Sequence, residues 1–226
     1  MEYSEVIERL ERLGDPSAAE GMARYGITAQ KIYGVSIPGL RALAKEVGKD
    51  HGLALDLWRV NSRETRILAG MIDDPRFLSG KQMDSWVRDF DSWEVCDQSI
   101  MNLFEKVPTA WDKALEWSAD ESEFVKRAGF VIMARLAVSD KSAADNRFSA
   151  FFPIIRREAG DGRNFVKKAV NWALRQIGKR NPELNAIACS EARAILESDE
   201  KSARWIASDA LRELESDAVR TRLGIT

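Results

Sequence analysis

Two stretches of this chain, Phe124-Val-Lys-Arg-Ala128 and Phe165-Val-Lys-Lys-Ala169, repeat one another 41 residues apart, and that repetition narrows the folds open to it. Arg66-Ile-Leu-Ala69 and Arg204-Trp-Ile-Ala207 follow the same pattern more loosely. A period near 40 residues belongs to HEAT and armadillo units, pairs of antiparallel helices that stack into a curved solenoid. Helical periodicity returns along the whole sequence, whereas no stretch alternates apolar and polar residues over six positions between turn residues. The expectation is an all-α chain of roughly a dozen helices, a HEAT/armadillo-like helical repeat solenoid. Its inner helices line a concave groove, and residues 1–226 form a single helical-repeat domain. Pro38, Pro108 and Pro182 read as helix openers, and Ser62, Ser92 and Ser122 as caps.

A chain of 226 residues buries a full core without staples. Cys96 and Cys189 stand in no paired spacing, and His51 is the one histidine, so neither a disulfide framework nor a zinc site is expected. No apolar run approaches the roughly 20 residues of a membrane span, and the acidic, amphipathic Met1–Leu10 does not read as a signal peptide. A reducing, cytoplasmic location, no membrane, no cofactor and a monomer are the expectations. The net charge of −2 conceals an uneven distribution: residues 141–180 hold ten Lys or Arg against three Asp or Glu, a local +7.

The helix read over Phe165–Lys179 buries Val166, Val170, Ala173, Leu174 and Ile177, at about 100° per residue. Its opposite arc carries Lys168, Arg175 and Lys179 around Trp172. Two readings stand: a nucleic-acid groove in which cations hold phosphates and the indole offers a flat surface, or a tryptophan packed on a neighbouring helix among lysine stems. The helix read over Ser92–Val107 has an apolar arc of Trp93, Cys96, Ile100, Leu103, Phe104 and Val107, and Asp97 falls inside it, one turn from Trp93. Such a carboxylate either pairs with an arginine, Arg127 or Arg135, or waits beside an aromatic floor to stabilise a transient cation. The helix over Phe124–Leu136 is apolar nearly all round and reads as central. Its Arg127 satisfies an internal acid or holds a phosphate by a bidentate contact. Phosphate-loop, dinucleotide and metalloprotease motifs are absent from the sequence, and no Ser or Cys has a histidine base. Trp58, Trp86, Trp111, Trp117 and Trp205 read as packing between helices.

Met22-Ala-Arg-Tyr25, Gly34-Val-Ser-Ile-Pro38, Ser92-Trp93 with Asp97, Lys126-Arg127-Ala128, and the run from Phe165 through Trp172 and Arg175 to Asn181-Pro182 occur in an order that resembles the AlkD-type DNA alkylation repair proteins, glycosylases built from HEAT-like repeats. The resemblance spans most of the chain. It implies that Asp97 is the catalytic carboxylate, and that Trp93 and Trp172 with Tyr25 form the aromatic surface against the lesion's backbone. Arg127 and Arg175 then hold phosphates, and Ser36 stands at a DNA-contacting position where some members carry a longer polar side chain. The partner implied is double-stranded DNA with purines alkylated at N3 or N7, whose positive charge already weakens the glycosidic bond. Two other functions stay open: a non-catalytic repeat protein that binds branched DNA through the Lys168–Arg180 stripe, and a protein-interaction scaffold using the acidic ends.

Overall fold

Most helix starts lie where the sequence signals put them. In the computed structural model, which describes residues 1–27 and 29–225, Ser62 and Thr65 form a reciprocal capping box. Ser92 accepts from the Val95 N–H at 3.4 Å, and Asn181, just before Pro182, accepts from the Leu184 N–H at 2.9 Å. Each bond satisfies a donor that a helix start would otherwise leave without a partner. Two starts differ from expectation. Ser122 precedes its helix without making a side-chain cap bond, and the helix expected at Pro108 begins at Ala110. A 3-10 turn over Phe104–Lys106 precedes Pro108, and the chain turns once more before it re-enters a helix. No strand occurs among the described residues.

The chain divides into two compact units, Met1–Thr109 and Ala110–Thr226. The first holds α1 (Tyr3–Leu13), α2 (Pro16–Met22), α3 (Ile37–Val47), α4 (His51–Arg59), α5 (Arg63–Ile72), α6 (Gly80–Arg88) and α7 (Trp93–Asn102). Its centre is α5, which packs on α3, α4 and α7. Nearly every α5 side chain is buried, including Arg63, Glu64 and Arg66. Beside it, Trp58 of α4 stacks on Trp86 of α6, with ring centroids 3.9 Å apart and planes 4° from parallel.

The second unit holds α8 (Ala110–Trp117), α9 (Glu123–Ser139), α10 (Asp145–Ser149), α11 (Phe152–Glu158), α12 (Asn164–Gly178), α13 (Pro182–Leu196), α14 (Lys201–Leu214) and α15 (Asp217–Leu223). The helix α9 is central, as its apolar sequence requires. Phe130, Ile132 and Met133 are fully buried, each contributing roughly 1.5–3 kcal/mol relative to an exposed side chain. A Cβ at Gly129 would lie 2.5 Å from the Ser118 backbone nitrogen, so glycine lets α9 close on the end of α8. The row α9, α12, α14 forms one layer, and α8, α11 and α13 pack across it. The core lies between the two.

Hydrogen bonds from helices to one another or to the segments that flank them recur at constant sequence separations. In the first unit Tyr33–Glu64, Trp58–Asp89 and Arg63–Glu94 all span 31 residues. In the second, Arg127–Phe165, Asn171–Asp209 and Arg175–Glu213 all span 38. Constant separation means that successive helices of a row run in the same direction, as a repeat requires. The 41-residue spacing in the sequence survives as a ring contact, Phe124 against Phe165 at 5.6 Å, while the polar register is three residues shorter in one unit and ten shorter in the other.

Four tryptophans pack as expected: Trp58, Trp86, Trp111 and Trp117 are buried. Trp205 does not. It is 41 % exposed, because α14 packs through Ala203, Ile206, Ala207 and Ala210 and leaves position 205 off that face.

Candidate functional site

In the first unit, α7 presents two of the expected site residues. It ends at Asn102, short of the expected Val107, because Leu103 leaves helical geometry at φ −135° and the chain tightens into the 3-10 turn. The truncation does not reach Trp93 or Asp97. Asp97 is buried at 8 % exposure, one helical turn beyond the half-buried Trp93 and on the same face. Trp93 donates its Nε1–H to the Tyr25 carbonyl at 2.8 Å. Tyr25 closes the 3-10 turn Ala23–Tyr25, after which Gly26 takes a left-handed φ of 74°, and its ring is 74 % exposed. Thus Tyr25, Trp93 and Asp97 come together as two aromatic surfaces and a buried carboxylate.

Ser36 has a local role. Its hydroxyl caps α3, accepting from the Gly39 N–H at 3.3 Å, and its side chain is exposed. The stretch Gly34–Pro38 owes its geometry to an ionic cluster that the sequence reading missed. Arg63 donates to Glu94 at 2.6 Å, to Glu64 at 2.8 Å and to the Val35 carbonyl at 2.8 Å. Glu64 in turn accepts from the Tyr33 and Gly34 N–H groups at 2.9 and 3.0 Å. Burial opposes the charge on Arg63, yet the hydrogen bond and charge of Glu94, helped by Glu64, hold its pKa above the ordinary value. Gly34 has φ +84°, and a Cβ there would meet the Asp15 carbonyl oxygen at 2.0 Å, so only glycine fits. The one sequence signal for this cluster is an Arg-Glu pair directly after a cap.

In the second unit the basic arc of α12 is present, but much of its charge is matched. Lys179 donates to Glu213 at 2.5 Å, Arg175 donates to the other Glu213 oxygen, and Asn171 donates to Asp209 at 2.7 Å. Burial raises the pKa of Glu213, but Lys179 and Arg175 outweigh it and hold the group below the usual carboxylate range. Lys168 is exposed and pairs with no carboxylate among the described residues. Trp172 is half-buried, one turn beyond it. On α9, Arg127 is buried and donates to the Phe165 carbonyl at 2.7 Å, which ties α9 to the first turn of α12. Lys126 bonds Glu158 at 2.6 Å. Part of the local +7 of the sequence is therefore met by carboxylates from other segments, Glu191 on Arg156 at 2.6 Å and Glu213 on Arg175 and Lys179.

His51 bonds Asp73 at 2.7 Å, which also accepts from Gln82 at 2.7 Å, so the histidine joins a local polar cluster. Cys96 and Cys189 are buried and form no disulfide. Among the described residues no group of three or more His, Cys, Asp or Glu converges as a metal site, and no helix is long and apolar enough to cross a membrane.

A family model described as DNA alkylation repair enzyme matches residues 6–214. No curated protein matches the chain. A solved structure described as a new family of proteins related to the HEAT-like repeat DNA glycosylases with affinity for branched DNA structures superposes with a TM-score of 0.82 at 20 % identity, covering 100 % of this chain and 97 % of that one. The fold is accordingly that of a HEAT-like helical repeat. A designed armadillo repeat protein in complex with the peptide (KR)4 is more distant, with a TM-score of 0.38 at 15 % identity over 96 % of this chain and 85 % of that one.

Proposed function

Because the chain belongs to the DNA alkylation repair enzyme family, we propose that it is a DNA glycosylase releasing purines alkylated at N3 or N7 from duplex DNA. The observation that carries this reading is Asp97, a carboxylate 8 % exposed and one turn from an indole pinned to the Tyr25 carbonyl. A carboxylate is costly to bury, and placing it beside aromatic surfaces suits it to a positive charge that develops during reaction.

The chemistry asks for little else. Alkylation makes the purine a cation, so it departs as a neutral base without protonation, and no general acid is needed. Departure leaves an oxocarbenium-like sugar. Asp97 stabilises that charge and orients the water that attacks the anomeric carbon, in the manner of glycoside hydrolysis. The products are the free base and an abasic site, and the proton from water passes to solvent. Trp93 and the exposed Tyr25 of the first unit supply aromatic faces worth roughly 0.5–2 kcal/mol each against a desolvated cation. In the second unit Trp172 offers DNA a further flat surface. There Lys168, Arg175 and Lys179 serve the phosphates, while the buried Arg127 holds the start of α12 through the Phe165 carbonyl. In the first unit Ser36, at the exposed start of α3, is a further polar contact.

The test is single-turnover release of alkylated purine from methylated duplex DNA at low salt. Asp97→Asn is expected to slow release by about 100-fold or more while leaving binding intact, as when one preorganised electrostatic stabiliser is removed. Equal rates would overturn the role of the acid. Absence of release by both would favour a second reading, non-catalytic recognition of branched DNA. The exposed Trp205 supports that reading, as does the description of the solved structure that shares this fold.

A further inference from the structure

The second unit leaves one large aromatic in solvent. The packing face of α14 holds Ala203, Ile206, Ala207 and Ala210, all buried, and Trp205 lies off it at 41 % exposure. An indole so placed forgoes much of the burial that large aromatics ordinarily gain. One cation lies against it and three more flank the pair in sequence. The Lys167 ammonium lies 4.7 Å from its ring centroid, across from the first turns of α12. Lys168 follows in the chain, Lys201 stands one helical turn before Trp205 and therefore on the same side, and Arg204 precedes it directly; these three are exposed.

None of the four cations pairs with a carboxylate among the described residues. Asp199 and Glu200, in the turn leading into α14, are exposed and unpaired with them. Two turns further along the same pair of helices the pattern reverses, because Arg175 and Lys179 share Glu213. One seam thus ends in matched charges and begins in unmatched ones around an open ring.

We infer that Trp205 is a stacking platform for an unpaired base of DNA, with Lys167, Lys168, Lys201 and Arg204 receiving the phosphates beside it. The inference rests on the DNA-binding reading above and adds the form of DNA preferred. In an intact duplex both faces of every base are taken by neighbours, so an indole finds nothing to stack on. In a single-stranded flap, at a gap or at a branch point an unpaired base is available at low unstacking cost. Stacking is sequence-tolerant, since every base has a π face, and the cations add a contribution that falls with salt.

The experiment is a titration of the full chain, Trp205→Ala and Trp205→Phe against a blunt labelled duplex and the same duplex carrying a single-stranded flap, at low salt. Native protein is expected to bind the flap more tightly. Trp205→Ala should lose about 10-fold on the flap and less than about twofold on the blunt duplex, whereas Trp205→Phe keeps most of the flap affinity. Because Trp205 is exposed, the helical circular dichroism of both variants should match the native chain. Equal loss on both DNAs, no loss on either, or a phenylalanine variant as weak as alanine overturns the platform. Native protein binding both DNAs equally overturns the platform alone. Native protein binding neither overturns the DNA-binding reading with it.

Discussion

The indole N–H of Trp93 and the backbone carbonyl of Tyr25 are 2.8 Å apart, so one hydrogen bond joins a helix start to a 3-10 turn 68 residues away. The bond fixes how the Trp93 ring is turned while using only the backbone of Tyr25, which leaves the tyrosine ring free to meet a partner.

Replacing Trp93 with phenylalanine keeps an aromatic ring and removes that bond. A partly exposed neutral hydrogen bond contributes about 1 kcal/mol or less, so urea unfolding should change little. Release of alkylated purine should slow by about 10-fold, because small misplacements of positioning groups carry rate costs of that size or more. Unchanged release in the phenylalanine variant would show that the bond does not position the ring.

The cluster of Arg63, Glu64 and Glu94 is buried, and breaking a buried ion pair from one side leaves charges without compensation. Arg63→Met should cost about 3–5 kcal/mol in urea unfolding, well beyond a surface substitution. Adding Glu64→Gln to that variant should restore part of the loss. A cost under about 1 kcal/mol would mean that the cluster is not what holds Val35 and α7 in place.

Glu213 titrates with a consequence for both stability and binding. Its pKa in the folded chain lies below its ordinary 4.5, so its contribution is fully present above that pH and is lost as pH falls through the folded value. Native protein should therefore lose stability on acidification below about pH 4.5 more steeply than Glu213→Gln. At neutral pH the glutamine variant releases Arg175 and Lys179 from their shared carboxylate. It should bind duplex DNA more tightly, by about threefold to tenfold, with a steeper dependence on salt. Equal salt slopes would argue that neither cation reaches phosphate.

Local chemistry was the legible part of this chain. The capping hydroxyls of Ser62 and Ser92, the nearly all-apolar α9 and the buried face of α12 follow from spacing and side-chain type alone, and so does the burial of Asp97. What was hidden depends on partners distant in sequence. Glu213 lies 38 residues beyond Arg175, so a segment charge count made Arg175 look free when the fold gives it a carboxylate. The same blindness covered Arg63, whose partner Glu94 lies one 31-residue interval away. Trp205 was misread for the opposite reason. Nothing about its composition separates it from the four packed tryptophans, and only the choice of packing face on α14 sends it into solvent.

The 38-residue interval is filled in two different ways. Between Arg127 and Phe165 the chain breaks into the short α10 and α11, while between Asn171 and Asp209 it runs through the single long α13, yet the span is identical. Length, not the makeup of the intervening stretch, is what the row of helices demands. The outer layer is thus open to drift by substitution but closed to drift by insertion or deletion. A gained or lost residue there must be absorbed in a connecting turn, or every later rung of polar pairing slides off its mate.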